Sequence, residues 1–158
     1  MAVDLSVFQN AAPYKSFKDK DWEILSGVLT ESSLQDGEFV FQENDPGDGF
    51  YWLRAGKIRI SRRIAPETKK ETQEQVLAVL TSGQIFGEMA LVDGAPRSAD
   101  ALVEGEAVLF HLSKEAYDGL QRDHPATALR IQDVLVVTLC SRLRSANRNF
   151  EVIRFLLT

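Results

Sequence analysis

Cysteine, histidine and surplus positive charge are all scarce in this chain. One cysteine, Cys140, among 158 residues rules out an intramolecular disulfide framework. With only His111 and His124 beside it, zinc, iron–sulfur and thiol chemistry have no ligand set. His111 stands in the alternating run AVLFHL, which favours a structural role over a ligand role. Acidic residues outnumber basic ones 23 to 18, for a formal net charge of −5, and this argues against broad binding to nucleic acid. No apolar run reaches the length of a membrane-spanning helix. The N-terminal stretch MAVDLSVFQNAAPYKSF lacks the charged and apolar regions of a secretory signal, so a cytoplasmic protein is expected. There is no Walker-type GxxxxGK[ST] sequence and no convincing Ser/His/Asp arrangement. A non-enzymatic protein without a bound cofactor is the expectation.

What is present reads as one domain over 1–158. The spacing of Trp22, Ile24, Leu25, Val28 and Leu29 predicts an amphipathic helix capped by Asp19 or Asp21, within an N-terminal helical segment over 1–36. From Gly37 to Leu112 the pattern changes to short aromatic and β-branched runs separated by glycine and acidic turns. That density of strands and turns predicts a mainly β fold with flanking helices, a double-stranded, jelly-roll-like β-roll. The polar insert from Pro66 to Thr72 reads as an exposed hairpin end. Helical periodicity returns over 113–158, with Ser113 as an N-cap and Pro125 opening a long final helix. Along that helix Leu129, Val136, Leu143, Phe150 and Leu157 recur every seven residues, with Leu139, Ala146 and Ile153 between them and polar Gln132 breaking the second set. Such a seam predicts helix–helix association and a homodimer. Val134, Leu135 and Val137 supply a second apolar face for the roll.

Within the β region one stretch stands apart, FGEMALVDGAPRSA, Phe86 to Ala99, which brackets a short turn with an acid and a base. Its order, GxxFGExAL followed by PRSA, resembles the phosphate-binding cassette of the cyclic nucleotide-binding domain family. The resemblance extends upstream, where Glu43, Asp45, Gly47, Phe50, Tyr51, Leu53 and Gly56 follow that family's ExDxGDxFYxLxxG pattern. It covers the chain from about Gly37 into the last helix. It implies a regulatory domain that binds a 3′,5′-cyclic purine nucleotide inside a β-roll.

The chemistry of the residues agrees with that implication. Arg97 offers a planar fork of donors suited to a cyclic phosphate. Ser98 adds a hydroxyl, and small Ala90 and Ala99 permit close backbone approach. Backbone N–H groups from about Glu88 to Leu91 point the same way. Glu88 would be repelled by the phosphate and is matched instead to the ribose 2′-hydroxyl, a donor for a carboxylate acceptor. The resemblance places Gly87 and Met89 beside Glu88 on the ribose.

On the base side the candidates are Ser98, Arg142 and Asn147. The C-terminal stretch SRLRSANRNFEVIRFL resembles the dimer helix of bacterial catabolite activator-like regulators, so cAMP is expected ahead of cGMP. Where those regulators carry a Thr-Ser pair, this chain has Ala146 and Asn147. No helix-turn-helix can be fitted before Thr158, so output through a protein effector is expected. The alternative is a β-roll interaction protein with another effector, such as a cyclic dinucleotide, or with none.

Overall fold

The computed structural model describes residues 4–64 and 72–156, with side chains as far as Asn149. Two short N-terminal turns, α1 (Ser6–Gln9) and a 3-10 turn (Ala12–Tyr14), precede α2 (Asp19–Val28). The Asp21 carboxylate accepts the Lys18 backbone N–H at 2.8 Å and so closes the first turn of α2. Six strands follow in one antiparallel sheet: β1 (Thr30–Leu34), β2 (Phe39–Phe41), β3 (Gly49–Ile64), β4 (Gln73–Thr81), β5 (Ile85–Phe86) and β6 (Asp100–Ser113). β6 is the hub, pairing with β1, β2 and β3, while β3 also pairs with β4 and β5. The fold is the expected β-roll with flanking helices.

Two apolar clusters hold it together. Leu53, Ile58, Leu80, Phe86, Val103 and Leu109 fill the interior of the roll. Phe8, Tyr14, Leu25, Trp52, Phe110, Ile131 and Leu135 belong to the second cluster, which joins the helices to the sheet. There the Trp52 indole N–H donates to the Tyr14 hydroxyl at 2.9 Å, so the buried polar ends of both rings are satisfied.

The helical returns lie where the caps predicted them. The Ser113 hydroxyl accepts the Ala116 N–H at 3.1 Å at the start of α4 (Lys114–Asp123), and α5 (Pro125–Leu156) begins at the proline. Buried Ala128, Ile131, Val134 and Leu135 pack α5 on the core. A second network fixes its angle: Asp21 accepts from the Thr127 hydroxyl at 2.6 Å and from Arg130 at 3.2 Å.

Three expectations need correction or fall outside view. The N-terminal segment is not helical to residue 36, because Thr30–Leu34 forms β1, in register from Thr30↔His111 to Leu34↔Ala107. TESSL lacks strand-like alternation, and pairing with the hub strand supplies what its side chains do not. Val137 is not buried against the roll; it is half exposed, as is Val136. The insert from Pro66 as far as residue 71, and the side chains of Phe150, Ile153 and Leu157, lie outside the described residues.

Candidate functional site

The cassette is built where β5 ends. Tyr51↔Phe86 and Trp52↔Ile85 pairing fixes β5 on β3, and the chain turns at Gly87 with φ of +74° into α3 (Glu88–Asp93). A side chain on Gly87 would also come within 2.7 Å of an Arg97 nitrogen, so glycine is required twice over. After α3 the loop carrying Arg97 is strapped to the loop before β3. Arg97 N–H donates to the Asp45 carbonyl at 2.8 Å, and Asn44 N–H to the Arg97 carbonyl at 2.9 Å.

Two ionisable side chains on this segment are almost wholly buried, Glu88 at 1% and Arg97 at 3% exposure. Burial of such groups is costly unless they are paired, so the partners define the site. Arg97 Nη1 donates to the carbonyls of Gly49 at 2.9 Å and Gly87 at 2.8 Å, while Nη2 donates to Asp48 Oδ1 at 2.9 Å. Its guanidinium carbon lies 4.3 Å from the centre of the Phe41 ring, a stacked cation–π contact. Arg97 Nε is buried with no hydrogen-bond partner.

Glu88 faces away from Arg97's acceptors and toward α5. Its Oε1 accepts from Arg142 Nη1, and Arg142 Nη2 also reaches the Ile85 carbonyl. Glu88 Oε2 is buried and has no partner. The segment therefore presents one orphaned acceptor and one orphaned donor, on the acid and the base that the sequence singled out.

The remaining candidates divide. Ala90 and Ala99 are buried, so no bulk projects from them. Met89 is half exposed, and Ser98, also exposed, directs its hydroxyl toward the Met89 sulfur at 3.8 Å. Asn147 is exposed on α5. Arg142, expected on the base side, has both terminal nitrogens on acceptors of the cassette segment, the Glu88 carboxylate and the Ile85 carbonyl.

Sequence reasoning missed three members of this cluster. Asp48 and Tyr51 stood in the upstream family pattern with no part in the site assigned to them, and Phe41 was one residue of the apolar run EFVFQ. Tyr51 stacks on Phe86 at 5.3 Å and on His111 at 4.6 Å. Pairings 49 and 54 residues apart in the chain leave no local signal. Two open depressions of about 250 and 290 Å³ meet at Arg63 and Asp100 and share no residue with the cassette. Among the described residues no metal-ligand cluster occurs, and no helix is long and apolar enough to cross a membrane.

Residues 31–124 match the family model of the cyclic nucleotide-binding domain. The cyclic AMP receptor protein of Thermus thermophilus is 34% identical over 119 residues, which are 75% of this chain and 51% of that protein. The CRP-like cAMP-activated global transcriptional regulator of Mycobacterium tuberculosis is 31% identical, with 75% and 49% covered. The chain thus spans about half the length of these relatives. Among solved structures, the Thermus thermophilus catabolite activator protein superposes with a TM-score of 0.74 at 28% identity, covering 92% of this chain and 64% of that one. A cyclic nucleotide-binding domain from Methylobacillus flagellatus KT gives 0.81 at 23% identity, with 92% and 79% covered, a likeness of fold.

Proposed function

From the premise that this chain belongs to the cyclic nucleotide-binding domain family, we propose that it binds cAMP, in preference to cGMP, as a regulatory sensor without catalytic activity of its own. The observation that carries this reading is the pair of orphaned buried atoms, Glu88 Oε2 at the start of α3 and Arg97 Nε in the loop after it. A cyclic nucleotide brings a 2′-hydroxyl donor for the first and anionic phosphate oxygens for the guanidinium that bears the second. Ser98 and the backbone around Ala90 and Ala99 line the phosphate side, and Gly87 and Met89 the ribose side.

Phosphate binding asks Arg97 Nη2 to exchange Asp48 for a phosphate oxygen. That exchange is inexpensive because the Asp48 side chain is 67% exposed and regains water. Ribose binding puts the hydroxyl on the free oxygen of Glu88, leaving Arg142 on the other. Arg142 thereby acts as a positioning residue that ties α5 to the occupied cassette, and Asn147, one turn further along, is left for the base.

The preference for cAMP draws support from the names of the bacterial relatives, two of which are described as cAMP-responsive. The exposed stripe of Leu129, Val136 and Leu143 on α5 supports a homodimer. Output then passes through α5 to a protein effector, in a cytoplasmic setting that suits the lone Cys140. Thermal shift against cAMP, cGMP and a cyclic dinucleotide tests the reading. A ligand at 100 times its Kd adds about 2.7 kcal/mol of apparent stability. Stabilisation by cAMP ahead of the others is expected; silence from all three defeats the proposal.

A further inference from the structure

We propose that His111 sets the nucleotide affinity of the cassette through Asp48, so that binding tightens as His111 gains a proton. The inference rests on the phosphate role proposed for Arg97 and adds a positioning residue behind it.

The geometry is a three-member chain meeting at one oxygen. Asp48 Oδ1 accepts from Arg97 Nη2 at 2.9 Å and lies 3.5 Å from His111 Nε2. His111 Nε2 is buried and makes no hydrogen bond. The ring stacks on Tyr51 at 4.6 Å and lies close over Gly49, where an added Cβ would come within 2.7 Å of Nε2. The Asp48 backbone is fixed, since its carbonyl accepts the Lys114 N–H at 2.8 Å. Only the Asp48 side chain is free to choose between Arg97 and His111.

With a neutral His111, Asp48 has one charged partner, Arg97. A phosphate that takes its place on Nη2 leaves the Asp48 carboxylate solvated by water but beside a new anion. A protonated His111 changes that balance. It offers the displaced carboxylate an ion pair and adds positive charge beside the phosphate. Protonation and nucleotide binding therefore favour each other, and by reciprocity the nucleotide must raise the proton affinity of His111.

The charged and titratable groups acting on the ring come from three elements: Asp48 before β3, Arg97 after α3, and Tyr51 on β3. On β1 its register partner is Thr30, which carries no charge. Burial holds the imidazole below its ordinary range; Asp48 pulls it up and Arg97 pushes it further down. Moving Arg97's partnership from Asp48 to phosphate removes part of that downward push, the same sign as the ion-pair argument.

The test is calorimetric titration of cAMP into the wild type and the His111→Gln variant between pH 5.5 and 8. The wild type is expected to bind about five- to tenfold tighter at the acid end, the lower range of coupling between neighbouring sites. His111→Gln should match the wild type near pH 8 and lose the slope. Histidine NMR on the wild type supplies a second readout independent of any variant. The His111 pKa should rise on addition of cAMP. Binding with no His111-dependent slope and no rise in its pKa overturns this inference and leaves the nucleotide reading standing. Absence of cAMP binding at every pH overturns both.

Discussion

Arg142, midway along α5, holds the otherwise buried carboxylate of Glu88 in the cassette, 54 residues earlier in the chain. This is the one charged contact that joins the long helix to the cassette among the described residues. Any change at Glu88 is therefore felt by α5. A ligand moves such an equilibrium only by its differential affinity for the two arrangements, and the ribose contact proposed for Glu88 would supply that difference.

Removing Arg142 should expose what Glu88 costs. Arg142→Met leaves the Glu88 carboxylate buried without a charged partner, and Arg142 is itself 39% exposed, so a loss of roughly 1–3 kcal/mol in unfolding free energy is expected. Adding Glu88→Gln to that variant should recover part of the loss, as the stranded charge is gone. Urea denaturation of the four proteins in the cycle measures the coupling. Strict additivity would show that the two side chains act independently.

The cassette was legible in sequence because its chemistry needs particular residue types at fixed places. Only glycine tolerates the turn at Gly87 against Arg97, and buried charges such as Glu88 and Arg97 have no bland reason to sit nine residues apart. β1 was not legible, since Thr30 to Leu34 carries no strand pattern and takes its form from β6. The Arg142–Glu88 and Asp48–Arg97 pairs were equally hidden. Each joins residues that only the closure of the roll brings together, and the charge of an isolated Asp48 or Arg142 says nothing about its partner.

Arg97 serves as an internal strut as well as a proposed phosphate ligand, so its variants should fail in two measurable ways. Arg97→Lys keeps the charge but cannot span the carbonyls of Gly49 and Gly87 and the Asp48 carboxylate at once. A loss of cAMP affinity on the order of 100-fold is expected from truncating a buried charge-assisted contact. Melting temperature should fall in the same variant even without nucleotide. Calorimetry with cAMP at wild-type affinity would remove Arg97 from the phosphate site.

Acid should weaken the junction between α2 and α5 through Asp21. Burial works against its charge, yet the Thr127 hydroxyl, the Lys18 N–H and the charges of Arg130 and Lys18 outweigh that and hold its pKa below the ordinary 3.8. A depressed folded-state value means that the stabilisation is complete above about pH 4 and is lost as pH falls through the lower, folded value. Asp21→Asn should be less stable than the wild type at pH 7 by roughly 2–4 kcal/mol and should lose less on acidification to pH 2.5. Urea midpoints across that range decide it; parallel curves for the two proteins would exclude Asp21 as the acid-sensitive group.

The outer stripe of α5 makes the assembly testable by position. Leu129, Val136 and Leu143 are 51–62% exposed at seven-residue spacing, with Val137 beside them, while Ile131, Val134 and Leu135 on the other side are already buried in the core. A helix that has spent one apolar face on its own domain and still presents another has surface to bury against a partner. Replacing Leu129, Val136 and Leu143 together by Gln leaves the core face untouched, so the variant should fold and run as a monomer in sedimentation while the wild type runs as a dimer. Orientation has its own readout. Exposed Cys140 lies one turn from Val136 on the same stripe, so a parallel pair brings the two thiols near the common axis, whereas an antiparallel pair sends them to opposite ends unless the crossing falls at residue 140. Mild oxidation should trap a disulfide-linked dimer that reductant reverses if the pair is parallel, and should not if it is antiparallel. A wild-type monomer at tens of micromolar, with and without cAMP, would rule out the seam and require α5 to signal within a single chain.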